Sequence, residues 1–223
     1  MDSFTRIKPL IKDFNLLQSK TVAIVGVGGV GGVAAIALAR SGIKNFILCD
    51  FDKVNESNIN RQVVAYNSTL SEYKVDVLER LIKDINNEAS VVKIKEPFNS
   101  DSTLFNHQID FLVDAIDDVN NKYLLIKETL SRTIPLISSM GTAKKTNIKK
   151  LNIVDINQTS YDPLAKVIRK KIRDDNLNLK FKCLSSTEEV KLEGAILASY
   201  MPVTASAGLM IADYVIKKIG GFE

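Results

Sequence analysis

Short apolar runs alternate with longer segments whose apolar residues recur three or four apart, and this rhythm holds from Thr21 to Ser139. Thr21 to Val25 reads as a buried strand, and Val30 to Arg40 as a helix packed on it, with Gly42 placed to stop it. Phe46 to Cys49 is a second strand. Tyr73 to Asn86 carries helical spacing, Val91 to Ile94 is extended, Phe111 to Ile116 is extended, Val119 to Arg132 is helical, and Pro135 to Ser139 is another buried strand. Continuous apolar strands of this kind are buried on both faces, so the alternation predicts a mostly parallel sheet flanked by helices.

The pattern changes after Gly141. Lys150 to Ile156 and Lys180 to Leu184 alternate as half-exposed strands do, and they are expected to extend the sheet as antiparallel edge strands. Between them, Asp162 and Pro163 open a helix through Arg173, with Leu164, Val167, Ile168 and Ile172 facing inward. Lys166, Arg169, Lys170, Lys171 and Arg173 then fall on or beside its outer face. The stretch from Gly194 to Ala212 carries no charge and reaches the length of a membrane helix. Pro202 divides it, however, and the expectation is a strand over Ala195 to Tyr200 followed by a helix that runs on through Asp213, Lys217 and Lys218.

With 223 residues and a hydrophobic fraction of 45%, the chain suffices for one large α/β domain over 1–223, with an N-terminal helical arm over about 1–19. Met1-Asp2-Ser3-Phe4 lacks a basic flank leading into an apolar run, so neither a secretory signal nor an organellar presequence is expected, and the cytoplasm is the expected compartment. Two cysteines, Cys49 and Cys183, do not make a disulfide framework. His107, the single histidine, sits in a polar context without a partner carboxylate or cysteine pattern, which favours the surface.

The chemistry is concentrated between the first two strands. Gly26-Val27-Gly28-Gly29-Val30-Gly31 joins strand to helix, where a glycine turn lets backbone N–H groups and the helix dipole approach phosphate. Asp50, with Asp52 beside it, closes the second strand, where a carboxylate accepts hydrogen bonds from ribose hydroxyls. These features are those of a Rossmann-like nucleotide site, and dinucleotide-binding dehydrogenases share them. Arg61 and Lys74 point elsewhere, because cleavage of ATP calls for cations along its phosphates and hydride transfer does not.

Taken together, these motifs resemble the adenylating domain shared by ubiquitin-activating enzymes and the bacterial ThiF, MoeB and HesA proteins, and the likeness runs through most of the chain. The resemblance implies that Asp50 binds ribose, that Asn58, Arg61 and Gln62 contact nucleotide and phosphate, and that Lys74 contacts phosphate. Asp117, in Val113-Asp114-Ala115-Ile116-Asp117-Asp118, matches the aspartate associated with magnesium. Its other reading is a cap on the helix beginning near Val119. Arg6 matches an N-terminal arginine that relatives insert into a partner's ATP site, which implies a homodimer.

Asp162 to Arg173, Ser185-Ser186-Thr187-Glu188-Glu189 and Ile137-Ser138-Ser139-Met140-Gly141 further resemble one branch, the enzymes that dehydrate threonylcarbamoyladenosine in tRNA. That branch uses ATP to activate the side-chain carboxylate as an acyl adenylate or acyl phosphate, and then closes a five-membered ring with formal loss of water. ATP, Mg2+ and modified tRNA are thus the implied ligands, with a sulfur-relay protein as a possible partner and no membrane role. The basic helix would meet tRNA backbone, and Lys144, Lys145, Lys149 and Lys150 offer a second surface. Relatives that activate sulfur carriers hold zinc with paired Cys-x-x-Cys motifs, which this chain lacks, so zinc is not expected. Adenylation of a ubiquitin-like or sulfur-carrier protein is the alternative activity, and Cys183 lies near the position of a functional thiol in such relatives.

Overall fold

A computed structural model describes residues 2–190 and 196–222. Among the described residues, seven strands form one sheet in the order β3-β2-β1-β4-β5-β7-β6. They are β1 (Thr21–Val25), β2 (Asn45–Cys49), β3 (Ser90–Ile94), β4 (Phe111–Asp114), β5 (Leu136–Ser139), β6 (Leu151–Asp155) and β7 (Lys182–Ser186). All neighbours are parallel except β6 and β7. The α-helices among these residues are α1 (Phe14–Ser19), α2 (Gly31–Arg40), α3 (Lys74–Ile85), α4 (Val119–Ser131), α5 (Pro163–Asp174) and α6 (Met201–Ile219).

The apolar runs are continuous because each central strand feeds two cores. Val22 and Ile24 of β1 pack with α2, α3 and α6 on one face, whereas Ala23 and Val25 pack toward α4 and α5 on the other. α2 ends where expected: Gly42 takes φ +106°, and the next amide, Ile43 N–H, returns to Leu38 O at 3.1 Å. The N-terminal arm contains α1 and a single 3-10 turn, Lys8–Leu10, and it is tied to the chain's other end by Asp13 N–H donating to Gly220 O at 3.0 Å.

Two expectations for the second half change. β7 pairs parallel with β5 and antiparallel with β6, so only β6 is an antiparallel edge, and β7 starts two residues later than its alternation suggested. Ile196 to Tyr200 form no strand; Ala195 lies outside the described residues. Ile196 and Leu197 are 82% and 73% exposed, and the segment is tied to loops instead of a strand, Ala198 O accepting Lys144 N–H at 2.7 Å and Ser199 O accepting the Asn60 side-chain amide at 3.0 Å. α6 begins at Met201 with Pro202 in its first turn, as the sequence implied. Among the described residues, no helix is long and apolar enough to cross a membrane.

Candidate nucleotide-binding site

The strand order reverses between β1 and β4, and in open α/β sheets this is where a crevice opens at the carboxyl ends of the strands. A cleft of about 1050 Å³ lies there, walled by the loops after β1, β2 and β4 and by the loop after β5. The glycine loop is shaped by close approach. Gly26 has φ +91° and a Cβ there would lie 2.6 Å from Ala115 O, while a Cβ on Gly31 would lie 2.0 Å from Gly26 O. Gly28 differs, since its Cβ would meet only Gln62 Nε2 at 3.9 Å and would project into open cleft. Gly29, beside Thr204, also lines the cleft. A backbone held this open is a cradle for a group that needs close approach to N–H donors.

Asp50 holds the loop in place. Its Oδ2 accepts Val27 N–H at 2.6 Å and its Oδ1 accepts Asp52 N–H at 2.8 Å, leaving further lone pairs toward the cleft. Burial pushes this carboxyl up from its ordinary range, and the nearby Lys74 ammonium opposes the shift. Lys74 stands at the first position of α3, where its buried side chain reaches Asp52 at 2.6 Å. Arg61 donates from Nη1 to Ser57 O at 2.7 Å and to Asn60 Oδ1 at 2.8 Å, on the cleft wall. Asn58 accepts Asn55 N–H at 3.1 Å, so its carbonyl shapes the turn that carries Arg61. Gln62 is buried, and its Oε1 finds no donor among the described residues. An orphaned acceptor on this wall fits the hydroxyl and amino donors of a nucleotide.

The helix-cap role considered for Asp117 falls to its neighbour. Asp118 is the residue that caps α4, accepting Asn121 N–H at 2.8 Å, while Asp117 is exposed on the cleft. Beneath them lies a group that periodicity did not reveal. Asp114 and Lys122 are both fully buried and paired at 2.7 Å; Ser138 hydroxyl donates to Asp114, whose Oδ1 also accepts Ile116 N–H at 3.1 Å. This network fixes the turn that presents Asp117. No cluster of three metal-ligating side chains occurs among the described residues.

Other candidates fall elsewhere. Arg6 is exposed on the N-terminal arm and does not line the cleft of its own chain. His107 is exposed, as expected. On α5, Val167 is exposed and lines the cleft, contrary to the expected inward face. Arg169 turns inward, donating to Thr159 O at 3.1 Å and to its hydroxyl, while Lys170 pairs with Asp174 and Lys171 lies over the Tyr123 ring. The outer cation set is thereby reduced to Lys166 and Arg173 with Lys170. Lys145 is also removed from the surface: it is buried and donates to Tyr161 O at 3.1 Å and to Glu188 O.

Cys183 belongs to β7 and is wholly buried, and burial pushes both its thiol and that of Cys49 up to about 12. The nucleophilic thiolate is thus scarce at neutral pH. We expect neither thiol of the native protein to be alkylated at pH 8 on the timescale on which a free cysteine peptide reacts, with full labelling in denaturant. Rapid native labelling of Cys183 would place that thiol in use.

The fold and the cleft are those of a Rossmann-like α/β domain whose glycine loop shares its cleft with Arg61 and Lys74. Residues 10–223 match the ThiF family, and the chain belongs to it. It is 43% identical over 174 residues to the tRNA threonylcarbamoyladenosine dehydratase of Bacillus subtilis, a match covering 77% of this chain and 68% of that protein. The Escherichia coli protein of the same name is 32% identical over 166 residues, covering 74% of this chain and 62% of that one. A crystal structure of the E. coli dehydratase, TcdA, in complex with ATP superposes with a TM-score of 0.87 at 30% identity, covering 92% of this chain and 88% of that chain.

Proposed function

We propose that the protein is an ATP-dependent tRNA threonylcarbamoyladenosine dehydratase of the cytoplasm. The observation that carries this reading is the 43% identity to the B. subtilis dehydratase. The cleft, which gathers Gly28, Arg61, Lys74 and Asp117 around one volume, suits the chemistry. A carboxylate oxygen is a poor leaving group, and ATP supplies the activation that makes its carbon open to attack. The substrate brings its own nucleophile in the same side chain, so proximity replaces a covalent enzyme intermediate. The glycine loop N–H groups, Arg61 and Lys74 bind phosphate and stabilise charge developing there. Asp50 orients ribose. Asp117 would hold Mg2+, which binds through one or two carboxylates together with phosphate oxygens, so an isolated aspartate suits it.

Homodimerisation completes the reading: Arg6, exposed and outside its own cleft, would serve a partner's. α6 also presents Met201, Ala205 and Leu209 one turn apart along one face, with Met201 and Leu209 exposed. A sulfur-relay protein would be a further partner. Incubating the protein with magnesium-ATP and tRNA bearing threonylcarbamoyladenosine, followed by nucleoside mass analysis, should show loss of one water. An unchanged nucleoside would reject the reading.

The tRNA surface has its own test. Changing Lys166, Lys170 and Arg173 to glutamine should reduce the salt slope of tRNA binding by about 0.7–0.9 for each phosphate no longer neutralised, with magnesium-ATP binding unchanged. Arg169 is left intact because it braces the chain at Thr159. Equal salt slopes would make the α5 face a solvated surface only.

A further inference from the structure

α5 starts on a clamp. The buried Asp162 carboxylate is held from three sides: Oδ1 accepts Ala165 N–H at 3.0 Å, and Oδ2 accepts Gly141 N–H at 3.0 Å and the Ser185 hydroxyl at 3.1 Å. The residue before it is tied down as well, since the buried Lys145 ammonium donates to Tyr161 O at 3.1 Å. The loop after β5, the end of β7 and the start of α5 are thus joined at one point.

An exposed ring stands on this fixed backbone. Tyr161 is 61% exposed, the most exposed of the phenylalanine and tyrosine rings, and its side chain makes no hydrogen bond or ring contact among the described residues. A single exposed aromatic is ordinary in itself. What sets this one apart is its place: Lys145, which holds its carbonyl, lines the cleft, as do Pro163 and Leu164 just after it. Tyr161 therefore lies beside the mouth of the cleft, and the exposed Lys166 and Lys170 follow it on α5.

We propose that Tyr161 is a stacking platform for a base of the tRNA loop that delivers the modified adenosine to the cleft. The assignment rests on the dehydratase reading above. A threonylcarbamoyl arm on N6 occupies the pairing edge of adenine, so its nucleoside belongs to an unpaired loop, and to bring that arm beside a bound nucleotide it must leave the stack of its neighbours. A neighbouring base then loses a stacking partner, and an aromatic ring at the mouth of the cleft replaces it. Because the backbone under Tyr161 is clamped in the free protein, binding has little left to order there. Lys166 and Lys170 serve backbone phosphates by charge, a contribution that depends on salt and is separable from stacking.

The experiment uses the full chain and its Tyr161→Ala, Tyr161→Phe and Tyr161→Trp variants. The probes are a hairpin RNA whose loop carries threonylcarbamoyladenosine and a fully paired duplex of the same stem, titrated across a salt series, with magnesium-ATP binding, thermal midpoint and turnover of modified tRNA measured on the same preparations. Tyr161→Ala should bind the hairpin about 5- to 150-fold more weakly, with the salt slope, duplex binding, magnesium-ATP binding and midpoint unchanged. Tyr161→Phe should match the parent, since the ring and not the hydroxyl does the stacking. The chain has no tryptophan, so the fluorescence of Tyr161→Trp reports this position alone, and the hairpin should quench it where the duplex does not. Hairpin affinity of Tyr161→Ala within about twofold of the parent, or equal weakening toward hairpin and duplex, overturns the assignment alone. So does a Tyr161→Trp signal that the bound hairpin leaves unquenched. Absence of turnover by the parent overturns the dehydratase reading and the assignment with it.

Discussion

Replacing Lys122 with methionine should destabilise the protein by about 3–5 kcal/mol, a large share of the roughly 5–15 kcal/mol that holds a domain folded. Lys122 and Asp114 are both fully buried, and among the described residues the Lys122 ammonium is the one cation paired with that carboxylate. Without it, Asp114 keeps a hydroxyl from Ser138 and an amide from Ile116, which do not compensate an anion away from water. The double variant Lys122→Met with Asp114→Asn should recover much of the stability, since both charges are then gone. Urea denaturation of both variants and of Asp114→Asn alone, against the parent, decides it. A change below about 1 kcal/mol for Lys122→Met would mean that water reaches this pair.

The consequence extends to the site, because the Asp114 carboxylate fixes the amide of Ile116, one residue before Asp117. A stability element and a candidate magnesium ligand therefore share one turn. That arrangement was not legible in the sequence. Val113-Asp114-Ala115 and Lys122 lie on different elements, and apolar periodicity gives no sign that a lysine on α4 will be fully buried. The burial of Lys145 was hidden for the same reason: its environment is assembled from Tyr161 and Glu188, distant in the chain.

Where a feature depends on local chain chemistry, the sequence was a good guide. β1, the glycine loop, α2 and its glycine stop follow from apolar runs and from positions that only glycine fills. The start of α5 was equally plain, because Asp162 caps the Ala165 amide and Pro163 fits the first turn. Strand order was harder. β6 precedes α5 in the chain, yet β7 inserts between β5 and β6, and alternation along a strand carries no information about its neighbour. The Ile196 to Tyr200 segment has strand-like composition, but its carbonyls at Ala198 and Ser199 are taken by the Lys144 amide and the Asn60 side chain, a tertiary fact that overrides propensity. On α5, Val167 turned outward and Arg169 inward, because the cleft and the Thr159 carbonyl decide which face is filled.

Arg61→Ala should lower ATP turnover about 10²–10³-fold while leaving the thermal midpoint almost unchanged. The expectation comes from where its bonds go. Arg61 donates to Ser57 O and Asn60 Oδ1, both within its own exposed turn, so truncation leaves groups that water can reach. Its guanidinium nonetheless lines the cleft on the same wall as Gly28 and Lys74, where developing phosphate charge needs a fixed cation. Asp117→Ala should fall similarly, and raising Mg2+ should restore part of its activity if the carboxylate holds the metal with phosphate oxygens. Gly28→Ala provides the comparison: its added methyl meets no protein atom closer than 3.9 Å, so the protein should fold normally yet bind magnesium-ATP more weakly. Titration of nucleotide binding, with turnover measured on the same preparations, separates the three. Unchanged turnover in Arg61→Ala and Asp117→Ala would remove both residues from their assigned roles, and unweakened binding in Gly28→Ala would move the phosphates away from this loop.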